Sequence, residues 1–266
     1  MNQTIERPLL GRRVWITRPQ SQSRSLFEQV RAGGGEALII PAIEISKKQI
    51  SEQEIRLLQG LVRGDILIFI SVNAARFIGM AVADPASRFR DMTLLAVGSG
   101  TSKALMERGF SKVISPERGS GSEALLQLEL LQEASVRGRK IIILRGAGGR
   151  ELLRDTLLRR GAKVGIVELY YRTKPSLDVV EIKKIWRQSP PDVIVITSGE
   201  ALKNLIEITP RQERAALFNT PLVVISDRVR ELAISSGFNL APRIAGNAGD
   251  NELMQAIISL FRGNNK

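Results

Sequence analysis

KIIILRGAGGRELLRDTLLRRGAKVGIV, residues 140–167, is the stretch that decides the fold. An apolar run, Ile141–Leu144, leads into Arg145 and a glycine-rich turn. A helical pattern, Glu151–Arg160, follows, and Gly161 then opens a second apolar run, Lys163–Val167. Apolar runs without polar alternation mark strands buried on both faces, as in a parallel sheet. A helix between two such strands makes a right-handed βαβ unit.

The same alternation fills the chain. Strands are predicted at Val14–Thr17, Ala37–Ile40, Ile66–Ile70, Leu94–Val97, Val113–Ile114, Ile141–Leu144, Lys163–Val167, Val193–Thr197, Leu222–Ser226 and about Ala241–Ala245. Helices are predicted at Arg24–Ala32, Glu52–Leu61, Asn73–Val82, Thr101–Arg108, Glu123–Glu133, Glu151–Arg160, Leu177–Gln188, Glu200–Glu207, Arg228–Ser235 and Asn251–Phe261. Gly34, Gly109, Gly161 and Gly237 stand where helices end and supply left-handed caps. The fold class is three-layer α/β.

The chain is also duplicated. At an offset of 127 residues Arg18 falls on Arg145, Leu26 on Leu153, Gly34 on Gly161, Asp65 on Asp192, Ser71 on Ser198, Ala74 on Ala201 and Val97 on Val224. The order of events repeats with them, which chance identities would not preserve. Two similar α/β half-units are expected, with their facing loops forming a cleft.

Composition narrows the chemistry. The 266 residues include no Cys and no His. That removes disulfides, thiolate nucleophiles, Ser-His-Asp hydrolysis and nearly all zinc or haem-iron sites. Proton transfer falls to Tyr, Lys, carboxyl groups, backbone or water. No acidic cluster suggests a metal. A net charge of +12 favours an anionic partner, although solubility alone explains such a charge as readily. The N-terminal MNQTIERPLLGRR carries Glu6 and has no apolar core, so it does not read as a signal peptide, and no run is long enough to span a membrane. A cytoplasmic protein without a membrane partner is expected. No strongly apolar exposed helix points to a dimer, so a monomer is the default.

Ligands of open parallel sheets bind beyond the carboxyl ends of the strands. The residues of interest are therefore Arg18, Ser71, Gly98–Thr101, Arg145–Gly149, Ser198 and Ser226–Arg228. Helix N-termini there suit carboxylates or phosphates. The plainer reading of Arg18 and Arg145 is an ion pair with a nearby acid; their recurrence at the repeat offset favours a ligand role. Ser71 and Ser198 lack a His or Lys partner for nucleophilic work, and capping of the following helix is their leading role. RGAGGR (145–150) matches only part of a dinucleotide fingerprint, with Glu168 at the ribose-binding spacing, because Glu151 stands where a third glycine is wanted. GSGTSK (98–103) lacks the ending of a phosphate-binding loop and reads first as a tight turn. The basic stretch Arg137–Lys163 has no aromatics for base stacking, which speaks against nucleic acid. Tyr170 and Tyr171 are the only tyrosines and could donate a proton in a cleft.

GRRVWITRPQ, PAIEI, DILIFISVNAARFI, AVGSGTSKALMERGF, ILRGAGGRELLRDTLLRRGAKVGIVELYYRT and DVIVITSGEALKNLI, taken in order, resemble uroporphyrinogen-III synthase over nearly the whole chain. The resemblance implies a cofactor-free lyase of tetrapyrrole biosynthesis, closing the linear polycarboxylate hydroxymethylbilane to uroporphyrinogen III. Ring D is inverted through a spiro intermediate. It implies Tyr170 as the catalytic phenol, with Tyr171 the alternative register. The expected substrate contacts, taken from the strand ends, are Arg18, Ser71, Asn73, Gly98, Thr101, Arg145, Gly148, Thr197, Ser198, Ser226 and Arg228. Thr101 matches the family's Thr in the first half; in the second half Asp227 and Arg228 occupy that neighbourhood.

The resemblance also changes the expected wiring. Residues 1–41 pair with 174–266 as one domain, 46–168 form the other, and 42–46 with 168–173 make two antiparallel linker strands acting as a hinge. The alternatives are a non-catalytic two-domain binder of an anionic metabolite and a nucleotide-dependent oxidoreductase using RGAGGR.

Overall fold

The computed structural model describes residues 7–119, 121–176 and 178–262. The N-terminal segment through Glu6 and the expected helix start at Leu177 lie outside the described residues. Eleven strands run β1 Arg13–Ile16, β2 Glu36–Ile39, β3 Glu44–Lys47, β4 Ile66–Phe69, β5 Thr93–Ala96, β6 Val113–Ile114, β7 Lys140–Gly146, β8 Lys163–Thr173, β9 Val193–Ile196, β10 Leu222–Val224 and β11 Arg243–Ile244.

They form two sheets, ordered β11-β10-β9-β1-β2 and β3-β8-β7-β4-β5-β6. Every pairing within β11-β10-β9-β1-β2 and within β8-β7-β4-β5-β6 is parallel. The chain divides into two compact units, one of residues as far as Glu44 together with those from Thr173 onward, the other Ile45–Arg172.

Both faces of each central strand are buried, which is why the apolar runs are unbroken. In the second unit Ile66 and Ile68 of β4 and Ile141 and Ile143 of β7 point into one cluster with Leu125, Leu153 and Leu157. The intervening Leu67, Phe69, Ile142 and Leu144 point the other way, into a cluster with Ala74, Leu105 and Tyr170. The first unit repeats the scheme. Val14, Ile16, Val193, Val195 and Val223 pack on Leu26 and Val30 of the helix Arg24–Ala32 and on Leu253 and Ile257 of the helix Asp250–Arg262. Trp15, fully buried, meets Trp186 edge to face at 4.6 Å and donates its indole N–H to Ser189 O at 3.0 Å.

The duplication is visible in the two sheets. At the repeat offset β1 falls on β7, β2 on β8 and β4 on β9, so the order β2-β1-β9 in one sheet answers β8-β7-β4 in the other. Ser71 and Ser198 cap their helices with nearly identical extended backbones, φ −165° and −162°. Each hydroxyl accepts a backbone N–H three residues on, from Ala74 at 3.0 Å and Ala201 at 3.1 Å. The four expected helix-ending glycines all have positive φ, between 80° and 101°.

Three expectations differ from the structure. The predicted helix Glu123–Glu133 is broken into Ser122–Leu126, a 3-10 turn at Glu129–Leu131 and Glu133–Val136. The side chain of Gln132 donates to Leu126 O and Leu128 O, and Arg160 donates to Leu126 O and Leu131 O. These bonds satisfy carbonyls that a continuous helix would have used. Strand β7 extends past Leu144 to Gly146, and β8 runs without a break to Thr173 beside β3. The short helices Pro85–Arg88 and Arg214–Phe218 had no sequence signal strong enough to predict them.

Leu67 is fully buried in the middle of its sheet. Leu67→Ala is expected to lower stability by about 2–5 kcal/mol, seen as a lower midpoint in urea unfolding followed by circular dichroism.

Candidate functional site

In the second unit the carboxyl ends of β4, β5 and β7 form one rim, and β8 carries Tyr170 to it. Tyr170 is 3% exposed and Tyr171 is 44% exposed. Leu169 and Tyr170 are buried in succession, because the pairing slips by one residue between Arg145 and Gly146, and this irregularity turns Tyr170 into the core cluster. Its ring stacks on Phe77 at 5.8 Å. Its hydroxyl lies 2.8 Å from Ser71 Oγ, a residue 99 positions earlier. Ser71 therefore caps the helix Val72–Phe77 and also bonds the phenol. A serine hydroxyl has two acceptor positions and one proton. The Ala74 N–H takes one acceptor position; if Tyr170 donates to the other, the serine proton is free for a third group.

The remaining predicted residues fall into three groups. Thr101 is buried in the first turn after β5, with its N–H bonded to Gly98 O at 3.1 Å, and Gly98 and Asn73 are buried beside that turn. On the outer side of the same helix, Ser99–Met106, a groove is lined by Val72, Arg76, Gly100, Lys103, Glu107 and Arg108, and its charge is mainly positive.

Arg145 and Arg18, each 7% exposed, form the second group, and both are committed to protein partners. Arg145 bonds Glu151 at 2.9 Å, Glu168 at 3.3 Å and the carbonyls of Gly149 and Arg150. Arg18 pairs with Asp250 and with Ala248 O. The ion-pair reading thus describes both, with the difference that the arginines are buried while their carboxylate partners stay partly exposed. Gly148, at φ +72°, gives its N–H to Glu168 at 3.3 Å.

The third group lies in the first unit. Thr197, Ser198 and Ser226 are half-buried at the ends of β9 and β10. Ser226 occupies a cap position without a side-chain cap bond, and Arg228 is exposed in the first turn of the helix Asp227–Ser235.

RGAGGR is not a dinucleotide cradle. A Cβ on Gly146 would lie 2.6 Å from Tyr170 Cε2, so the space is filled by the tyrosine ring. Glu168, which stood at the ribose-binding spacing, holds Arg145 and the Gly148 N–H. No cluster of three or more potential metal-ligating side chains occurs among the described residues, and no helix among them is long and apolar enough to cross a membrane.

A family model described as uroporphyrinogen-III synthase HemD matches residues 24–244. The chain belongs to this family. It is 33% identical over 246 residues to the uroporphyrinogen-III synthase of Escherichia coli, covering 92% of this chain and 99% of that one. A mutant uroporphyrinogen III synthase from the extreme thermophile Thermus thermophilus has the same fold, with 20% identity, a TM-score of 0.60 and coverage of 95% and 98% of the two chains. The uroporphyrinogen-III synthetase of Helicobacter pylori does too, with 15% identity, a TM-score of 0.63 and coverage of 94% and 99%. At such identities the likeness is one of fold.

Glu54 belongs to a capping-box signature, Ser51-x-x-Glu54, whose local pattern gives no hint of its longer-range partners. Ser51 and Glu54 do form that box, and Glu54 also takes the Glu168 N–H at 2.9 Å and Lys48 Nζ at 3.1 Å. The carboxylate thus ties the helix Glu52–Gln59 to the strand carrying Tyr170. Burial pushes the Glu54 carboxyl up, but the backbone N–H groups of Glu168 and Ser51, the Ser51 hydroxyl and Lys48 together hold it below its ordinary value. A carboxyl depressed in the folded state stabilises above its unfolded pKa and loses that contribution as pH falls through the folded value. Glu54→Gln should therefore cost about 1–3 kcal/mol at pH 7. As pH falls from the ordinary carboxyl value of about 4.3 through the lowered folded value, its urea midpoint should converge on that of the unaltered protein.

Proposed function

We propose that the protein is a lyase that closes hydroxymethylbilane to uroporphyrinogen III with inversion of ring D and loss of water. Membership of the uroporphyrinogen-III synthase family over residues 24–244 carries this reading. The chemistry suits a chain without His or Cys. The terminal C–O bond breaks as its oxygen is protonated and leaves as water. The substituted α-carbon of ring D then bonds the resulting azafulvene carbon, giving a spiro centre. That centre releases its older bond to the methylene on ring C, and the methylene bonds the free α-carbon of ring D, which gives up a proton. One proton enters and one leaves, so the only by-product is water.

Choosing the substituted carbon over the free one is a problem of substrate folding. The acid–base demand is small, and two hydroxyl groups can meet it. Tyr170 donates to Ser71 Oγ, and half-exposed Ser71 passes its own proton to the departing hydroxyl. The substrate is a polyanion, since each pyrrole carries an acetate and a propionate. Backbone N–H groups at the turns after β4, β5, β9 and β10, with Thr101, Ser198, Ser226 and Arg228, are suited to those carboxylates. Arg18 and Arg145 instead brace the strand-end segments after β1 and β7 through Asp250 and through Glu151 with Glu168.

Incubation with hydroxymethylbilane, followed by oxidation and chromatographic separation of isomers, tests the reading. Type III product should predominate; an unchanged yield of the spontaneous type I isomer would overturn it. Tyr170→Phe should lower kcat on the order of 10²-fold with little change in KM. Arg228→Ala, which removes an exposed cation, should raise KM about two- to fivefold and leave kcat alone.

A further inference from the structure

We infer that Gly146 is a positioning residue for the Tyr170 hydroxyl. The inference rests on the reading of Tyr170 and Ser71 just given. Gly146 closes β7 opposite Tyr170 on β8, at a register irregularity between Arg145 and Gly146. The backbone holds the two residues together, with Ala147 N–H bonded to Tyr170 O at 2.8 Å. Among the described glycines with positive φ Gly146 is absent, so an L side chain meets no conformational penalty there. The need for glycine is one of space. A Cβ would stand 2.6 Å from Cε2, 2.7 Å from Cζ and 3.1 Å from the hydroxyl oxygen of Tyr170.

Those atoms cannot yield easily. The ring is stacked on Phe77 and belongs to the buried core cluster that includes Phe69 and Leu144. Only rotation or withdrawal of the ring would make room, and either lengthens the 2.8 Å contact with Ser71. The absence of a side chain at 146 thus fixes where the phenol proton sits.

The repeat sharpens the assignment. The offset that carries Arg18 onto Arg145 carries Pro19 onto Gly146 and Ile43 onto Tyr170. The first unit keeps the capping serine, Ser198, but has neither the phenol nor the glycine that would admit it. Gly146 and Tyr170 occur together in one unit and are absent together from the other.

Steady-state kinetics and thermal unfolding of Gly146→Ala, Tyr170→Phe and the double variant test the inference. In the unaltered background G146A should lower kcat about tenfold or more, with KM within about twofold. In the Y170F background, where no hydroxyl remains to be misplaced, the same change should alter kcat less than about twofold. Equal losses in both backgrounds, or full activity of G146A, would overturn the inference while leaving the role of Tyr170 intact. Full activity of Y170F would instead sink the reading of the phenol, and the inference with it. Should G146A not fold, the pair Tyr170→Ala and Tyr170→Ala/Gly146→Ala decides. With the ring gone the alanine should not lower Tm; a loss there would show that Gly146 is needed for something other than the tyrosine.

Discussion

The parallel pairing of β1 with β9 brings together segments about 180 residues apart, and the rest of the first unit depends on it. A β1–β2 pair with one crossover helix cannot bury both faces of its strands. It finds its missing neighbour in β9 and is fastened there at several points. Arg13 N–H donates to the Asp192 carboxylate at 2.7 Å, Asp192 N–H donates to Arg13 O at 2.9 Å, and the Thr17 hydroxyl donates to Val195 O at 2.7 Å. Parallel strands joined by crossovers bring their carboxyl ends, and the helix starts that follow, to the same rim. The location of the serines, of Thr101 and of the glycine turns follows from that connectivity.

Duplication supplied two such rims, and they have diverged in chemistry more than in frame. The capping geometry of Ser71 and Ser198 matches to within a few degrees. Only Ser71 has a phenol behind it. The element common to both units is the one that closes a helix end, which any strand-to-helix turn needs. The divergent element is the buried tyrosine hydroxyl that meets Ser71. Likewise Arg18 and Arg145 stand at equivalent strand ends but take different acids, Asp250 in one case and Glu151 with Glu168 in the other. Each loop is secured by whatever carboxylate its own unit offers.

Much of this architecture could be read from the chain itself, because burial on both sheet faces leaves runs such as Ile66–Ile70 uninterrupted and because the glycines at 34, 109, 161 and 237 sit at real helix ends. The capping serines were legible for the same local reason. What stayed hidden depends on side chains distant in sequence. Arg160 takes the carbonyls of Leu126 and Leu131, 34 and 29 positions earlier, where the local pattern favours a continuous helix. Asp250 claims Arg18 from 232 positions away. Gly146 looked like part of a nucleotide motif, since the ring that needs its space belongs to a residue 24 positions later. Local pattern predicts elements; it does not reveal which side chain from elsewhere will occupy the gap beside them.

The split first unit also has a consequence for synthesis of the chain. When Thr173 has been added, all six strands of the second sheet exist, and the first sheet possesses only β1 and β2. The unit that carries Tyr170 is one continuous stretch of polypeptide and can complete its core on the ribosome. The N-terminal βαβ piece, made first, must wait for β9, β10 and β11. During that interval Val14 and Ile16 have Leu26 and Val30 but not Leu253 and Ile257, and Trp15 lacks Trp186. Vectorial synthesis therefore reverses the order in which the two units can be finished, and the earliest residues made are among the last to find their native neighbours.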